Sequence, residues 1–291
     1  TGVIGEELPV KKINQAIPIL IKNLSENSWL DVSKAIMTTD TMPKAISSQV
    51  KINDSTISIT GITKGSGMIK PNMATMLSFV ATDANVTKEI LDKIKQNSLF
   101  KSFNRITVDG DTSTNDSFVL IATCKSKLPL IDSQDSKAFT ILENEITEVC
   151  KKLAQTIVRD GEGATKFISI QVDGGNKISE CLSIAYKVAE SPLVKTAFTA
   201  SDPNWGRIIA AIGNAEISAL DTSKINIYIN DVLIVNNGER SETYTEENGK
   251  KAMICDEIIL KIELNRGNYS EQIWTTDLSH EYIKINAEYR N

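Results

Sequence analysis

Apolar positions along this chain recur with two periods. Between Val10 and Leu24, Ile13, Ile17, Leu20 and Leu24 fall at helical spacing, with Pro18 placed to kink the segment. Thr87 to Phe103 reads as an amphipathic helix with Thr87 as its N-cap. Lys137 to Val158 reads as a long helix, with Ile141, Val149, Leu153 and Ile157 among its apolar positions, and Lys177 to Glu190 and Asn204 to Asn214 read as helical too. The period-2 signal marks strands. Ser55 to Ile62 alternates Ile57 and Ile59 with polar neighbours, and Leu77 to Asp83 reads as a strand. Ile106 to Val108 and Phe118 to Ala122 read as strands flanking a turn rich in Asp, Ser and Thr. Phe167 to Val172, Lys224 to Asn230 and Glu257 to Leu264 complete the set. The sequence carries no internal repeat, heptad run or low-complexity linker. Helices and strands mixed along the whole length predict layered α/β or α+β packing.

One segment fits neither period. Lys64 to Leu77 reads KGSGMIKPNMATML, with two glycines, a proline and an asparagine just upstream of Ala74-Thr75. Such a stretch is poor helix and poor strand. An ordinary loop is the common reading of such a segment. The other reading is chemical. Thr75 would sit where a loop enters a sheet, and its hydroxyl can attack the preceding carbonyl. If the Ala74-Thr75 bond breaks, Thr75 starts a chain and carries both a hydroxyl and a free amine, an activated nucleophile.

Composition narrows the class without identifying it. The chain has 291 residues, 41% hydrophobic and 24% charged, an ordinary globular balance for one large or two small domains. A net charge of −5 disfavours a nucleic-acid groove, which needs clustered Lys and Arg. No apolar run approaches membrane-spanning length, so no membrane partner is expected. Cys124, Cys150, Cys181 and Cys255 are far apart with no CxxC pair, and read as reduced core residues of a cytoplasmic protein. The chain opens on Thr1-Gly2 without Met, which reads as the interior of a longer sequence and leaves any targeting segment outside it.

Several other motifs fail. In DGDTSTND the acidic positions Asp109 and Asp111 open like a calcium loop, but Thr114 and Leu120 stand where that loop needs Gly and Glu. GEGATK lacks the GK[ST] ending of a phosphate loop, and neither Gly65-x-Gly67 nor Gly161-x-Gly163 has a third glycine. His280 is the only histidine and has no Ser-His-Asp signature around it, so a surface or interface role is expected. The cysteines and that histidine have no metal-ligand spacing, and no metal is expected.

Seven further strings change the picture. TGVIGE, AIMTTDTMPK (Ala35 to Lys44), ITVDGDTSTND (Ile106 to Asp116), DGEGATK (Asp160 to Lys166), SPLVKTAF, DPNWGRIIAAIG and YIKINAEYRN resemble, in order, segments of the ornithine acetyltransferase family, the glutamate N-acetyltransferases of arginine biosynthesis. The resemblance covers the whole chain. It implies a fold with two sheets sandwiched between helix layers. It also implies self-cleavage at Ala74-Thr75 into a piece ending at 74 and a piece spanning 75–291, both parts of one intertwined unit. Thr75 is then the nucleophile that takes acetyl from N-acetylornithine and passes it to glutamate. Thr1 and Gly2 match the family's oxyanion-hole pair, against the alternative of a frayed chain end. Thr38 (with Thr39 as the neighbouring alternative), Lys64, Thr75, Glu162, Asn286 and Asn291 match its substrate-binding positions, although Asn291 stands where the family usually ends in Thr or Ser. No resident cofactor is implied; acetyl-CoA is a candidate co-substrate. The expected assembly is a heterotetramer of two α and two β pieces. A self-processed Thr amidohydrolase and an inactive remnant are the competing readings.

Overall fold

The computed structural model describes residues 5–70 and 76–288. In chain order the elements are α1 (Val10–Lys22), α2 (Trp29–Ala35), β1 (Lys44–Ile52), β2 (Ser55–Lys64), β3 (Leu77–Thr82), α3 (Lys88–Lys101), β4 (Ser117–Ala122), α4 (Lys137–Arg159) and β5 (Phe167–Gly175). Then follow α5 (Ile178–Ala189), α6 (Pro192–Thr199), α7 (Trp205–Gly213), β6 (Asn226–Ile229), β7 (Val232–Asn236), β8 (Glu239–Arg240), α8 (Glu246–Met253), β9 (Glu257–Glu263), β10 (Tyr269–Thr276) and α9 (His280–Glu288). The predicted mixed α/β class is what the chain adopts. Among the described residues it builds two sheets, ordered β1-β2-β3-β4 and β10-β5-β9-β6-β7-β8, with helices packed against both.

Local chemistry sets the helix starts. Thr87 caps α3 by accepting from the Ile90 N–H, and Ser136 caps α4 by accepting from Phe139. Ser191 caps α6 with Pro192 in its first turn, and Asn204 caps α7. Each such cap satisfies a backbone donor that the helix itself leaves open, at a gain of about 1 kcal/mol.

The first sheet's core forms under α4, which buries Leu142, Ile146, Val149, Leu153 and Ile157 along one stripe. That stripe lies over the inward face of β2, where Ile57 and Ile59 are fully buried. Gly61 continues this face, and a side chain there would collide with Leu153 and Val80. The second core gathers β5, β9 and β6 against α5 and α7 through Ile168, Ile170, Ile184, Ile212, Ile227 and Leu260. Phe167 and Trp274 come from the second sheet but pack into the first core.

β3 and β4 run parallel with Leu77 opposite Ser117. The chain just before each strand is thereby brought to the same end of the sheet.

Three sequence expectations need correction. Ile106 to Val108 is not a strand: Ile106 makes one isolated bridge to Trp274, and the chain turns away at once as Asp109 is drawn to the Met68 and Ile69 amides. Cys150 and Cys181 are core residues, but Cys124 and Cys255 are exposed. Cys124 also lies in the left-handed backbone region just past β4, which lifts it out of the sheet. The third correction concerns α1, which ends at Lys22 instead of Leu24 and keeps Pro18 inside it. Its apolar stripe of Ile13, Ile17 and Leu20 stays exposed among the described residues.

Candidate active site

The Gly-rich segment after β2 is fastened at nearly every residue. The Gly65 N–H donates to Asp40 Oδ1 at 2.8 Å. Ser66 Oγ donates to the Asp160 carbonyl at 2.6 Å, and the Ser66 carbonyl accepts from the Glu162 N–H at 3.0 Å. Met68 and Ile69 donate their N–H groups to the two Asp109 carboxylate oxygens at 2.6 and 2.9 Å. The Ile69 carbonyl accepts from Val108 N–H at 2.7 Å, and the Lys70 ammonium pairs with Glu190 at 2.9 Å. Met68 takes a positive φ of 55°, a left-handed conformation that is uncommon without glycine. Beyond residues 71–75, the Met76 carbonyl accepts from Ser117 N–H at 2.9 Å. The segment, neither helix nor strand as its Gly/Pro content predicts, is held up to Lys70 by partners from four distant segments.

Charged side chains line one side of this segment. Lys64 closes β2 and is buried; its ammonium donates to Thr38 Oγ1 at 3.3 Å. Burial pushes the Lys64 ammonium pKa down, with Lys44 adding to that, while Asp40 and Asp116 pull the other way. Lys44 is buried completely and bridges Asp40 at 2.6 Å and Asp160 at 2.5 Å. Burial works against ionisation of Asp40, but the Gly65 N–H, Lys44 and the Thr38 N–H outweigh it and hold the carboxyl below the ordinary range. Asp160 also accepts from the Thr41 N–H at 3.1 Å and from the Thr41 hydroxyl. This network joins the AIMTTDTMPK string to DGEGATK and fixes the position of Lys64.

The other side is built by the turn after α4 and by α9. Asn286 donates its side-chain amide to Glu162 Oε2 at 2.8 Å. Gly67 faces that carboxylate so closely that a Cβ would overlap both oxygens. Gly163 has φ of +66°, and a side chain there would strike the Tyr282 backbone N–H, so the turn and α9 touch backbone to backbone. Ser279 Oγ ties the start of α9 to the Gly163 carbonyl at 2.6 Å. The Tyr282 hydroxyl donates to Asp109 at 3.2 Å; burial first, then the Asp109 charge, pushes its pKa upward. Asp277 fixes the far side of the turn by accepting from the Thr165 and Lys166 N–H groups at 2.8 and 3.0 Å.

Four of the predicted site residues thus form two contacting pairs, Thr38 with Lys64 and Glu162 with Asn286, on either side of one loop. Thr38 rather than Thr39 is the threonine that meets Lys64. Thr1, Gly2, Ala74, Thr75 and Asn291 lie outside the described residues. Sequence reasoning missed Asp40, Lys44, Asp160 and Asp116 as members of the site, and it weighed Asp109 only as a calcium ligand. All five sit inside the strings that carry the resemblance. Among the described residues no group of His, Cys, Asp and Glu is placed to hold a metal ion.

Buried ammonium and carboxylate groups gathered around a pinned loop mark a candidate active site on a mixed α/β fold. Comparison with known proteins makes this specific: the ArgJ family model matches residues 1–291, and the chain belongs to the ArgJ family. It is 55% identical over 290 residues to the arginine biosynthesis bifunctional protein ArgJ of Pseudomonas fluorescens (strain Pf0-1), covering all of this chain and 72% of that protein. The ArgJ of Pseudomonas syringae pv. tomato is 54% identical with the same coverage. Among solved structures, that of arginine biosynthesis bifunctional protein ArgJ from Bacillus halodurans matches with a TM-score of 0.71 and 36% identity, over 74% of this chain and 100% of that one.

Proposed function

We propose that this chain transfers the acetyl group of N-acetylornithine to glutamate, giving ornithine and N-acetylglutamate in arginine biosynthesis. The observation that carries the reading is the pair of contacts on either side of the pinned loop, Lys64 with Thr38 and Glu162 with Asn286. Both substrates carry an α-carboxylate, and ornithine carries an ammonium group. A buried cation on one side and a buried carboxylate on the other match those two charges. Lys64 and Thr38 take the carboxylate; Glu162, held by Asn286, takes the ammonium group or orients the Thr75 amine.

Thr75 acts twice. Its hydroxyl first attacks the Ala74 carbonyl, and water completes cleavage into pieces 1–74 and 75–291. The freed amine, with a reference pKa of about 7.7–8.0, is roughly half neutral near pH 8 and in that form accepts the hydroxyl proton during acetyl transfer. Acetyl then passes through the Thr75 ester, so the kinetics are ping-pong. The Thr1 hydroxyl and Gly2 N–H supply the oxyanion hole, and Asn291 contributes its side-chain amide. The word bifunctional in the relatives' names supports a second activity with acetyl-CoA as acetyl donor. The cleaved pieces pair as two α and two β chains in the cytoplasm.

The test is made on full-length protein. Denaturing electrophoresis is expected to give two fragments, the larger starting TMLSF. Acetyl transfer is measured from N-acetylornithine and, separately, from acetyl-CoA. Water in place of glutamate as acceptor would mark the amidohydrolase instead. Thr75→Ala abolishes both cleavage and transfer; transfer that survived it would overturn the reading.

A further inference from the structure

α9 is seated without apolar burial. None of its described residues, His280 to Glu288, is buried, and Ile283 is 62% exposed. A helix on a protein surface ordinarily finds its place by covering an apolar stripe. Three side-chain hydrogen bonds among the described residues seat this one instead. Ser279 Oγ holds its start to the Gly163 carbonyl at 2.6 Å, the Tyr282 hydroxyl donates to Asp109 at 3.2 Å, and Asn286 donates to Glu162 at 2.8 Å.

Tyr282 and Asn286 are one helical turn apart, so their side chains leave α9 on the same face. They reach two different anchors. Asn286 meets the Glu162 carboxylate in the turn after α4. Tyr282 meets Asp109, and that carboxylate also accepts from the Met68 and Ile69 N–H groups. Gly67, next to Met68, faces Glu162 so closely that a Cβ would overlap its carboxylate. The contacts therefore close a ring that runs from Glu162 to Gly67 and Met68, on to Asp109, and back through Tyr282 and Asn286. Glu162 stands in that ring between the loop and α9, and the Tyr282–Asp109 bond ties those two walls together.

We propose that Tyr282 is a positioning residue for substrate binding: its hydroxyl fixes α9 against the loop and so sets the gap in which Glu162 meets the substrate ammonium group. This rests on the reading of Glu162 given above. Burial first, then the Asp109 charge, pushes the Tyr282 pKa upward, so the hydroxyl keeps the proton it donates. Without that hydroxyl Asp109 still accepts from Met68 and Ile69, and the loop stays pinned. α9 loses one tie, and Asn286 shifts relative to Gly67 together with the carboxylate it holds.

The experiment compares full-length wild type with Tyr282→Phe. Hydrogen exchange by mass spectrometry reads α9 and α4 separately, and steady-state kinetics reads KM and kcat for N-acetylornithine. Loss of a hydrogen bond to a charged group should speed exchange in α9 by roughly 10-fold and raise KM by a similar factor, with a smaller fall in kcat. Exchange in α4 should keep its wild-type rate. In an Asn286→Ala background Tyr282→Phe should add little to KM, because both changes act on Glu162 through α9. Wild-type exchange in α9 overturns the proposal, as does a KM effect that simply adds to that of Asn286→Ala. Exchange that quickens in α4 as much as in α9 also overturns it, since the hydroxyl then supports the fold at large. Glu162→Gln separates this role from the substrate assignment. If Glu162→Gln leaves KM unchanged, Glu162 does not bind the ammonium group and both ideas fall. If it raises KM while Tyr282→Phe keeps the wild-type value, only the Tyr282 role fails.

Discussion

Asn286 and Glu162 are 124 positions apart, and their side chains meet at 2.8 Å. Through that contact α9 closes one side of the site and holds a carboxylate that otherwise faces the open edge of Gly67. A hydrogen bond to a charged group is worth about 1.5–3 kcal/mol, or roughly 10- to 100-fold in an equilibrium constant. Asn286→Ala is therefore expected to raise KM for N-acetylornithine by roughly that factor with a smaller loss in kcat, because Glu162 loses its fixed orientation. Steady-state kinetics with varied N-acetylornithine reads this directly. An unchanged KM would mean that Glu162 does not bind substrate.

Gly67 tests the same carboxylate from the other side. A methyl group at position 67 would overlap Glu162 and force it to move. Gly67 does not need its glycine for backbone conformation, since it is not among the positive-φ glycines. Gly67→Ala should thus leave the fold intact by circular dichroism while reducing kcat/KM by at least tenfold. The combined variant Gly67→Ala with Glu162→Gln should be little worse than Glu162→Gln alone, because both act on one group.

Lys44 anchors the Lys64 side. Removing one member of a buried ionic cluster leaves uncompensated charge, at a typical cost of about 3–5 kcal/mol. Lys44→Met, which strands Asp40 and Asp160, is expected to lose stability in that range by urea melts near neutral pH. The acid limb follows from Asp40. Its folded pKa lies below its unfolded value of 3.8, so its contribution is present above about pH 4 and fades as pH falls through the folded pKa. Wild-type stability should drop below pH 4, and Lys44→Met should show a shallower drop.

The sequence is legible where the deciding interactions are local. α3, α4 and α7 can be read because period and cap lie within one segment, and α5 by its period alone; Thr87 and Asn204 announce their helices in the sequence. β1 escapes such a reading: its inward Ile46 and Val50 alternate with Ser, Gln and Lys, and α4 supplies the burial. Lys44 looks like any surface lysine until Asp160, 116 positions away, meets it. Lys64, Thr38, Glu162 and Asn286 are picked out only through the family resemblance. The residues that position them stand in the same strings, without a local rule to single them out.

Lys195 offers a test behind the carboxylates that pin the loop. It lies in the SPLVKTAF string on α6, only 4% exposed, and donates to Thr275 Oγ1 at 3.2 Å and to the Thr276 carbonyl. Burial pushes its pKa down from 10.5 to about 8, against the attraction of Asp277, Asp109 and Glu190. The native chain therefore gives up this proton at lower pH than the unfolded chain does. Between about pH 8 and 10.5 the unfolded state binds more protons, so stability from this group rises with pH. Lys195→Met has no such proton. Urea melts at pH 8 and pH 10 should show wild type gaining roughly 2–3 kcal/mol relative to Lys195→Met over that interval. Parallel curves for the two proteins would mean that Lys195 keeps an ordinary ammonium pKa, and that Thr275, Thr276 and the three carboxylates compensate its burial in full.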